Sequence, residues 1–329
     1  ILPGSLLYCP YDGAPGDMSL DTSGHRGQSA TVYGNNLVGA PGKFGKALQV
    51  GPATTNLVSN SSFESDLTGW TDWGTCTREI VTGPTYHLSK ALHVVATGTY
   101  QGVYQSLSLT GGQTYTLSVW VYVASGRPVM LFYDGAAYSI VEADSAWAGD
   151  GRWHRMVLSV TAGSTTNQLF LGRSANGANG SYYFDAVQVE QRTFATPFVE
   201  TSRTDSYLTY PTANNICPER GSFSAWIYID SYNPNGGFIF EAGYTECDLY
   251  VNSSGTLVGR FAGLSQSASG VPLGEWCHVA MVWDTVASSP YFFVALNGQG
   301  SAGDAPAYVP TLVSTLYLGH YGSSAYSLG

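Results

Sequence analysis

Three stretches of sequence decide the fold: one begins a β-domain, and the other two open and close a second unit inserted into it. Residues 39–50, Gly-Ala-Pro-Gly-Lys-Phe-Gly-Lys-Ala-Leu-Gln-Val, begin a β-domain whose pattern resumes only at about Asp205. Between them lies a complete second unit, which opens with Asn56-Leu-Val-Ser-Asn-Ser-Ser-Phe-Glu64 and closes with Tyr183-Phe-Asp-Ala-Val-Gln-Val-Glu190. Exposed loops tolerate such insertions because the core of the host is not interrupted. We therefore expect an all-β protein of two β-sandwiches (jelly rolls), one inserted into a loop of the other: residues 1–52 plus 205–329, and residues 53–204.

Composition supports two rigid β-domains. The chain has 329 residues, which suits two domains that each bury a full core. Charged residues make up only 11% and lysines number three, whereas Gly (40) and Tyr (23) are abundant. Short β-branched and aromatic runs between turn residues are typical of all-β proteins outside the cell or on a virion.

The charge of the chain excludes some partners. A net charge of −10 disfavours nucleic acid, which needs a basic surface, and disfavours docking to anionic membranes. No apolar stretch approaches the roughly 20 residues that span a bilayer, so we expect no membrane insertion. The sequence starts at Ile1 and shows no signal peptide, which indicates a processed form, a fragment or a virion component released by lysis.

Cysteine spacing leaves the redox state open. Four cysteines lie in the host and Cys76 is alone in the insert. The host cysteines allow three disulfide pairings, and free buried thiols are an equal alternative. No Cys-x-x-Cys or Cys-x-x-His spacing indicates a zinc site. The host set is Cys9, Cys217, Cys247 and Cys277.

Alternation in the host predicts sandwich strands. Within residues 221–229, Phe223, Ala225 and Ile227 alternate with Ser224 and Trp226, the period of a strand with two unlike faces. No segment has helical periodicity. Further strands are predicted at 6–13, 237–241, 247–251, 256–261, 276–283, 291–296 and 315–318.

The host resembles the laminin-G-like, concanavalin-A-like jelly roll. The phrases that carry the resemblance are Lys43-Phe-Gly-Lys-Ala-Leu, Phe223-Ser-Ala-Trp-Ile, Glu275-Trp-Cys-His-Val-Ala-Met-Val-Trp283, Val294-Ala-Leu-Asn-Gly298 and Leu316-Tyr-Leu-Gly319. The resemblance implies a lectin-like sandwich for adhesion or glycan binding, often without catalysis. The last strand of that family, with its Ile-Asp-Glu-Val motif, does not follow within the sequence, so we expect the host to lack it. His278 has no catalytic partner in the sequence and is predicted as a strand residue at an edge.

Alternation in the insert predicts a sandwich with one aromatic face. Residues 100–109 and 115–123 form predicted strands, and Gly111-Gly-Gln between them predicts a hairpin. On this reading Trp120, Tyr122 and Tyr104 face away from the aliphatic core. Further strands are predicted at 127–133, 153–160, 167–172 and 181–190.

The insert resembles carbohydrate-binding modules of families 4, 9 and 22 over nearly all of residues 54–192. The phrases are Asn56-Leu-Val-Ser-Asn-Ser-Ser-Phe-Glu64, Gly69-Trp70, Gln105-Ser-Leu-Ser-Leu, Gly112-Gln-Thr-Tyr-Thr-Leu-Ser-Val-Trp120, Trp153-His-Arg and Phe184-Asp-Ala-Val-Gln-Val. The phrase Ala195-Thr-Pro-Phe-Val-Glu-Thr201 resembles a tail that follows such modules in phage structural proteins.

The resemblance implies a glycan site and a structural calcium ion. Aromatic rings on the concave face stack on sugars; the alternative is that loops or the host cover these rings as a second core. Trp70 and Trp153 match packing positions of the family and are expected in the core. For Ca²⁺, the carboxylates of Glu64 and Asp185 and the carbonyl of Asn60 match by position; the alternative is that the two carboxylates cap loop amides. The predicted glycan-binding residues are Tyr100, Tyr104, Trp120, Tyr122 and Tyr133.

Enzyme motifs are weak in this sequence. A glucanase strand needs Glu-x-Asp-x-x-Glu, and the chain offers only Glu142-Ala-Asp144, without the third acid. Nucleophile-elbow, phosphate-loop and zinc-helix motifs are not found in the sequence. We expect no enzyme activity.

The sequence therefore predicts a glycan-binding or adhesion protein on a virion surface or outside the cell. The expected setting is a phage tail, fibre or capsid decoration, with cell-surface or capsular glycans and other virion or fibre subunits as partners. Symmetric homo-oligomers are an expectation for virion parts. The alternatives are a purely structural virion or fibre protein, and an accessory region of a secreted bacterial polysaccharidase or adhesin.

Overall fold

Antiparallel strands make up the fold. The computed structural model describes residues 30–33, 38–41, 43–44, 46–48, 50–213 and 215–320. One 3₁₀-helix, Ser145–Trp147, interrupts the strands, and none of the described residues lies in an α-helix. The prediction of an all-β protein built of sandwiches is confirmed. The predicted strand at 6–13, and Cys9 within it, lie outside the described residues.

The chain divides into two compact units. The host unit is Ile1–Ala53 with Arg203–Gly329, and the inserted unit is Thr54–Ser202. These boundaries differ by one or two residues from those read off the sequence. No helix of the described part is long and apolar enough to cross a membrane.

The inserted unit consists of two five-stranded sheets. Sheet I has the strand order β11-β10-β13-β8-β5, and sheet II has the order β12-β9-β14-β7-β6. A two-stranded pair, β4 and β15, lies where the chain enters and leaves the unit. The strands are β4 (Thr54–Thr55), β5 (Thr71–Trp73), β6 (Thr77–Val81), β7 (Ala91–Ala96), β8 (Gln101–Ser106), β9 (Thr114–Val123), β10 (Val129–Tyr133), β11 (Tyr138–Glu142), β12 (Trp153–Thr161), β13 (Gln168–Arg173), β14 (Gly180–Glu190) and β15 (Ser202–Arg203).

The core of the inserted unit lies between the inner faces of the two sheets. On β9, Leu117, Val119 and Val121 are fully buried in it, because successive side chains of a strand point to opposite faces. Trp70 belongs to this core and packs on Phe63 with ring centroids 5.4 Å apart, as the sequence predicted.

The predicted hairpin of β8 and β9 is wrong. Strand β8 pairs with β13 and β5 in sheet I, whereas β9 pairs with β12 and β14 in sheet II. The Gly111-Gly-Gln turn therefore carries the chain from one sheet to the other. A tight glycine turn suits either connection, so local sequence did not distinguish them.

The host unit consists of a seven-stranded sheet, β1-β16-β25-β18-β19-β20-β21, and a four-stranded sheet, β17-β22-β23-β24. Strands β2 and β3 form a separate pair. The strands are β1 (Thr31–Tyr33), β2 (Val38–Pro41), β3 (Lys46–Leu48), β16 (Tyr207–Pro211), β17 (Arg220–Tyr228), β18 (Gly237–Glu241), β19 (Cys247–Val251), β20 (Thr256–Phe261), β21 (Leu264–Ser269), β22 (Trp276–Asp284), β23 (Tyr291–Leu296), β24 (Gln299–Gly300) and β25 (Thr315–Leu318).

Within the described residues, the host cysteines are free thiols and form no disulfide, which is the second of the two alternatives that their spacing left open. Cys217, Cys247 and Cys277 are free, as is Cys76 of the insert. Cys247 and Cys277 lie in the core between the two host sheets, where burial raises the pKa of each thiol. They are packing residues that hold no reactive thiolate.

Candidate functional site

The outer face of sheet I carries a band of aromatic rings. Tyr104 on β8 lies beside Phe170 on β13, with stacked rings whose centroids are 5.1 Å apart. Trp73 on β5 packs against Phe170 at 5.0 Å. On β10, the strand next to β13, Tyr133 stacks on Tyr138 of β11 with ring centroids 4.6 Å apart, and the Tyr138 side chain is 65% exposed. Rings that are packed on one side and open on the other are suited to stacking on a ligand.

Tyr100 extends this band in an unfavourable backbone conformation. Its φ of 58° lies in the left-handed region, which side chains other than glycine rarely adopt. Its ring is 53% exposed and packs against the edge of Trp73 at 6.0 Å. The chain passes so near that a Cβ on Gly74 would overlap the Tyr100 carbonyl oxygen. The fold therefore holds an exposed aromatic ring at an energetic cost, which is a feature of functional sites.

Two facing glycines remove side chains from the middle of sheet I. Gly102 on β8 pairs with Gly172 on β13, and their neighbours in register are Trp73 on one side and Val129 on the other. Both glycines have positive φ, and a Cβ on Gly102 would overlap the Leu171 carbonyl oxygen. The row from β5 to β10 covers three strand spacings, about 14 Å, and its two inner positions carry no side chain. Both glycines and Val129 are nevertheless buried, so neighbouring groups cover this part of the face.

Two ion pairs lie at the edge strands of sheet I. Glu142 on β11 pairs with Arg127, and Asp72 on β5, which alternates with Trp73 and so points to the opposite face, pairs with Arg78. Asp144 accepts the backbone N–H of Ala146 and caps the 3₁₀-helix. The acids of the Glu142-Ala-Asp144 phrase therefore have structural partners.

The outer face of sheet II carries Trp120, but other groups cover it. The Trp120 ring is stacked on Tyr86 at 3.9 Å and is only 6% exposed. The Arg155 guanidinium lies 6.0 Å from the same ring and donates a hydrogen bond to the Thr196 carbonyl oxygen at 2.5 Å. The return segment around Thr196 thus closes this half of the face.

The five predicted aromatic residues do not form one cluster. Tyr100, Tyr104 and Tyr133 lie on the side of sheet I, whereas Trp120 and Tyr122 lie on sheet II, because β8 and β9 belong to different sheets. Their role in binding glycans stays a prediction. Reasoning from sequence missed Trp73, Phe170 and Tyr138, whose strands are short or have a mixed pattern.

The expectation that Trp153 lies in the core is wrong. Trp153 is half-buried on the outer face of sheet II, where it pairs in register with Tyr122. Their ring centroids are 5.9 Å apart, and Tyr86 lies 6.1 Å from Trp153.

The residues predicted to bind calcium hold a loop in place. Asp185 accepts the backbone N–H groups of Tyr86 and His87 at 2.9 and 2.8 Å, and that of Ala186 at 2.6 Å. Glu64 accepts the N–H groups of Ser89 and Lys90 at 3.0 and 2.9 Å and the hydroxyl of Ser89 at 2.7 Å. The two carboxylates therefore anchor both ends of the loop 86–90.

These contacts resemble amide caps more than a calcium shell, which needs six to eight oxygens. The Asn60 carbonyl oxygen accepts the Trp70 indole N–H at 3.1 Å, and the Asn60 side chain donates to the carbonyls of Asp66 and Thr68. Within the described residues, no group of three or more His, Cys, Asp and Glu side chains is placed to hold a metal ion. Calcium at Glu64 and Asp185 stays a prediction.

Burial and hydrogen bonds shift the pKa values of these two carboxyls in opposite directions. Burial raises the pKa of Asp185 to about 7 against the effect of its three N–H donors, and the charge of Glu64 adds to the rise. Burial alone would also raise the pKa of Glu64, but the hydrogen bonds from Ser89 and Lys90 lower it.

The host unit also has one covered and one open outer face. On the seven-stranded sheet, Asp248 is fully buried and binds Arg260 through two hydrogen bonds of 2.8 Å, beside the buried Glu241. On the four-stranded sheet, Trp226 is 41% exposed and packs on His278 at 5.4 Å. His278 is a strand residue as predicted, but β22 lies between β17 and β23 and is not an edge strand.

Family models match both units. Residues 55–171 match a carbohydrate binding domain, and residues 201–326 match the concanavalin A-like lectin/glucanases superfamily. The two resemblances read from the sequence are confirmed. No curated protein matches the chain.

Solved structures with likeness to this chain include xylan-binding and phage proteins. The CBM22-1 xylan-binding domain of Paenibacillus barcinonensis Xyn10C is 18% identical, with 45% of this chain and all of that chain covered and a TM-score of 0.36. The CBM22-1–GH10 modules of Clostridium thermocellum Xyn10B are 18% identical over 42% of this chain and 29% of theirs, with a TM-score of 0.34. Bacteriophage CBA120 tailspike protein 4 is 17% identical over 41% of this chain and 21% of its own, with a TM-score of 0.32.

At these identities and TM-scores, the structural likeness carries no inference about ligands. The family models are the stronger finding, because each falls on one of the two units that the fold separates. The chain thus combines a unit similar to carbohydrate-binding domains with a second unit similar to concanavalin A-like lectins and glucanases.

Proposed function

We propose that this protein binds glycans through the outer face of sheet I, without cleaving them. The observation that carries the proposal is the band of aromatic rings with exposed members at Tyr100 and Tyr138, within the unit that matches a carbohydrate binding domain. Sugar rings stack their apolar faces on aromatic rings and direct their hydroxyls to polar groups at the rim.

The contacts favour sheet I over the covered half of sheet II as the primary site. Tyr100 and Tyr138 expose more than half of their side chains, whereas Trp120 is buried under Tyr86 and Arg155. A ring that is only 6% exposed offers little surface to a sugar.

The pairing of the acids near this face supports a role in binding rather than hydrolysis. A glycosidase needs two carboxyl groups about 5 to 10 Å apart that are available to the scissile bond. Glu142 on β11 and Asp72, on the other side of β5 from Trp73, are each paired with an arginine.

The setting that we propose is a phage virion, where the protein meets cell-surface or capsular glycans of the host. Low lysine content, the phrase at 195–201 and the pairing of a carbohydrate-binding unit with a lectin-like one support it. Other virion or fibre subunits are its proposed partners.

The test is affinity electrophoresis of the full chain through gels that contain soluble neutral polysaccharides, namely xylan, mixed-linkage β-glucan, galactomannan and dextran. We expect selective retardation by one polysaccharide. Tyr104→Ala and Trp73→Ala should each weaken that binding about fivefold to tenfold, since stacking on one aromatic ring contributes about 1–1.4 kcal/mol.

Tyr291→Ala is the matched control, because it removes an exposed tyrosine from the host unit. It should leave retardation unchanged. A folded protein that no polysaccharide and no glycan on a broad array retards would overturn the proposal and favour a purely structural role in a virion or fibre.

A further inference from the structure

We propose that the inserted unit has a second saccharide-binding site on the uncovered half of the outer face of sheet II. This inference rests on the proposed glycan-binding function of the unit and adds a separate surface to it. The site is a row of side chains that lie in register across all five strands: Trp153, Tyr122, Tyr183, His93 and Glu79.

The aromatic part of the row is continuous. Ring centroids are 5.9 Å apart between Trp153 and Tyr122, 5.7 Å between Tyr122 and Tyr183, and 4.3 Å between Tyr183 and His93. All four side chains are half-buried, so each keeps part of its surface in solvent. Such rings lose little conformational entropy on binding, because their neighbours already hold them.

The other end of the row is a chain of hydrogen-bonding groups. His93 bonds to Glu79 through Nδ1 at 3.1 Å and to the Ser181 hydroxyl through Nε2 at 2.8 Å. The Glu79 side chain is 57% exposed and keeps carboxylate lone pairs for further donors. Sugar hydroxyls both donate and accept, so a fixed carboxylate, imidazole and hydroxyl are suitable partners for them.

The dimensions and charge of the row fit a short stretch of a neutral saccharide. Five strands span four spacings, about 19 Å, which exceeds the size of a single sugar ring. Glu79 is the one acidic group of the row and lies at its end, while the middle is uncharged. One end of the row is apolar and the other end forms hydrogen bonds. A saccharide has both kinds of surface, since its ring faces are apolar and its hydroxyls are polar.

Two sites on opposite faces make one unit bivalent. A polysaccharide bound to sheet I leaves sheet II open for a second chain, so the protein should bridge separate glycan chains. Bridging raises the apparent affinity for a dense glycan surface without any new contact.

The test uses isothermal titration of the full chain with a hexasaccharide of whichever polysaccharide retards it. We expect two sites per chain in the wild type and one site in each of two double variants, Trp73→Ala/Tyr104→Ala on sheet I and Tyr122→Ala/His93→Ala on sheet II. Combining all four substitutions should abolish binding. Val157→Ala lies on the same face of sheet II outside the row and should keep two sites.

The outcomes separate this inference from the proposed function. Binding that is lost with the sheet I variant and keeps its stoichiometry with the sheet II variant overturns the second site and leaves the proposed function standing. A wild-type protein that binds no polysaccharide overturns both.

Discussion

The two sheets of the inserted unit carry similar aromatic residues on their outer faces, yet these residues are exposed to different extents. On sheet I, Tyr100 and Tyr138 are exposed, although Gly102, Gly172 and Phe170 are buried. On sheet II, the loop 86–90 and the segment around Thr196 close half of the face over Trp120. The difference shows that a ring pointing away from the core is not thereby exposed, because segments distant in sequence decide what covers it.

The same contrast is present in the host unit. The outer face of the seven-stranded sheet carries a largely buried ionic cluster of Glu241, Asp248 and Arg260. On the outer face of the four-stranded sheet, Trp226 is exposed. Mutations on covered faces should therefore lower stability more than mutations on open faces.

The largest expected effect is on the covered half of sheet II. Trp120→Ala should lower the free energy of unfolding of the inserted unit by about 3–5 kcal/mol, because it leaves a cavity beneath Tyr86. Tyr138→Ala on sheet I, which removes a ring that is 65% exposed, should cost less than about 1 kcal/mol. Denaturant unfolding measures both. Equal losses in the two variants would contradict the distinction between the faces.

The next effect tests the pair of facing glycines in sheet I. Gly102→Ala should destabilise the inserted unit by about 2–3 kcal/mol, because its Cβ would overlap the backbone of β13. Gly112→Ala is the matched control: its φ of 78° is also positive, but no atom lies within 4 Å of the added carbon. That variant should lose only about 1 kcal/mol in the same denaturation experiment. A similar loss in both variants would mean that backbone strain alone sets the cost.

The covered face of the host predicts a pH dependence. Burial raises the pKa of Glu241 from its ordinary 4.5 to about 7, with the charge of Asp248 adding to the rise. Between these values the folded chain binds more protons than the unfolded chain, so stability should fall as the pH rises from about 4.5 to 7, by on the order of 2 kcal/mol.

Glu241→Gln should remove that part of the slope, and Glu275→Gln, at an exposed position, should leave it unchanged. Thermal unfolding across this pH range measures the slope. A Glu241→Gln protein with the wild-type slope would show that Glu241 titrates normally.

Tyr100 offers a variant in which binding and stability change in opposite directions. Tyr100→Gly removes an exposed ring from sheet I and relieves a positive φ, so it should weaken glycan binding about tenfold while raising stability by about 1 kcal/mol. Leu88→Gly is the control, because Leu88 has a φ of 51° and is 69% exposed in the loop over sheet II. It should gain stability without any change in binding, as titration and denaturation would show.

The smallest expected effect concerns calcium. Because Glu64 and Asp185 already accept five backbone N–H groups between them, the predicted calcium ion should add little stability, and we expect a chelator to lower the melting temperature of the inserted unit only slightly. Added calcium should reverse the fall and Glu64→Gln should prevent it. An unchanged melting temperature would favour the alternative that the two carboxylates only cap loop amides.

Sequence reasoning found the two units and most strand positions, because alternation and turn residues are local properties. It assigned Leu117 and Trp120 to opposite faces of β9 correctly for the same reason. It failed where partners are distant: the turn after β8 fits a hairpin as well as a crossing between sheets. Nothing near Trp120 in the sequence indicates that Tyr86 covers it.

The candidate site was less predictable than the fold. Trp73 lies on a strand of three residues, too short to show alternation, and Phe170 reads as an ordinary core residue. The positive φ of Tyr100 leaves no trace in the sequence, since glycine would be the usual residue there.

The short pair β4 and β15 has a wider consequence. Because these strands are hydrogen-bonded, and the Asn56 N–H also donates to the Thr201 carbonyl oxygen at 2.7 Å, the first and last residues of the inserted unit lie side by side. A unit with adjacent ends is an exchangeable cassette. Recombination can replace it in one step with another domain of the same end spacing, so the proposed glycan specificity can change while the surrounding scaffold is inherited intact.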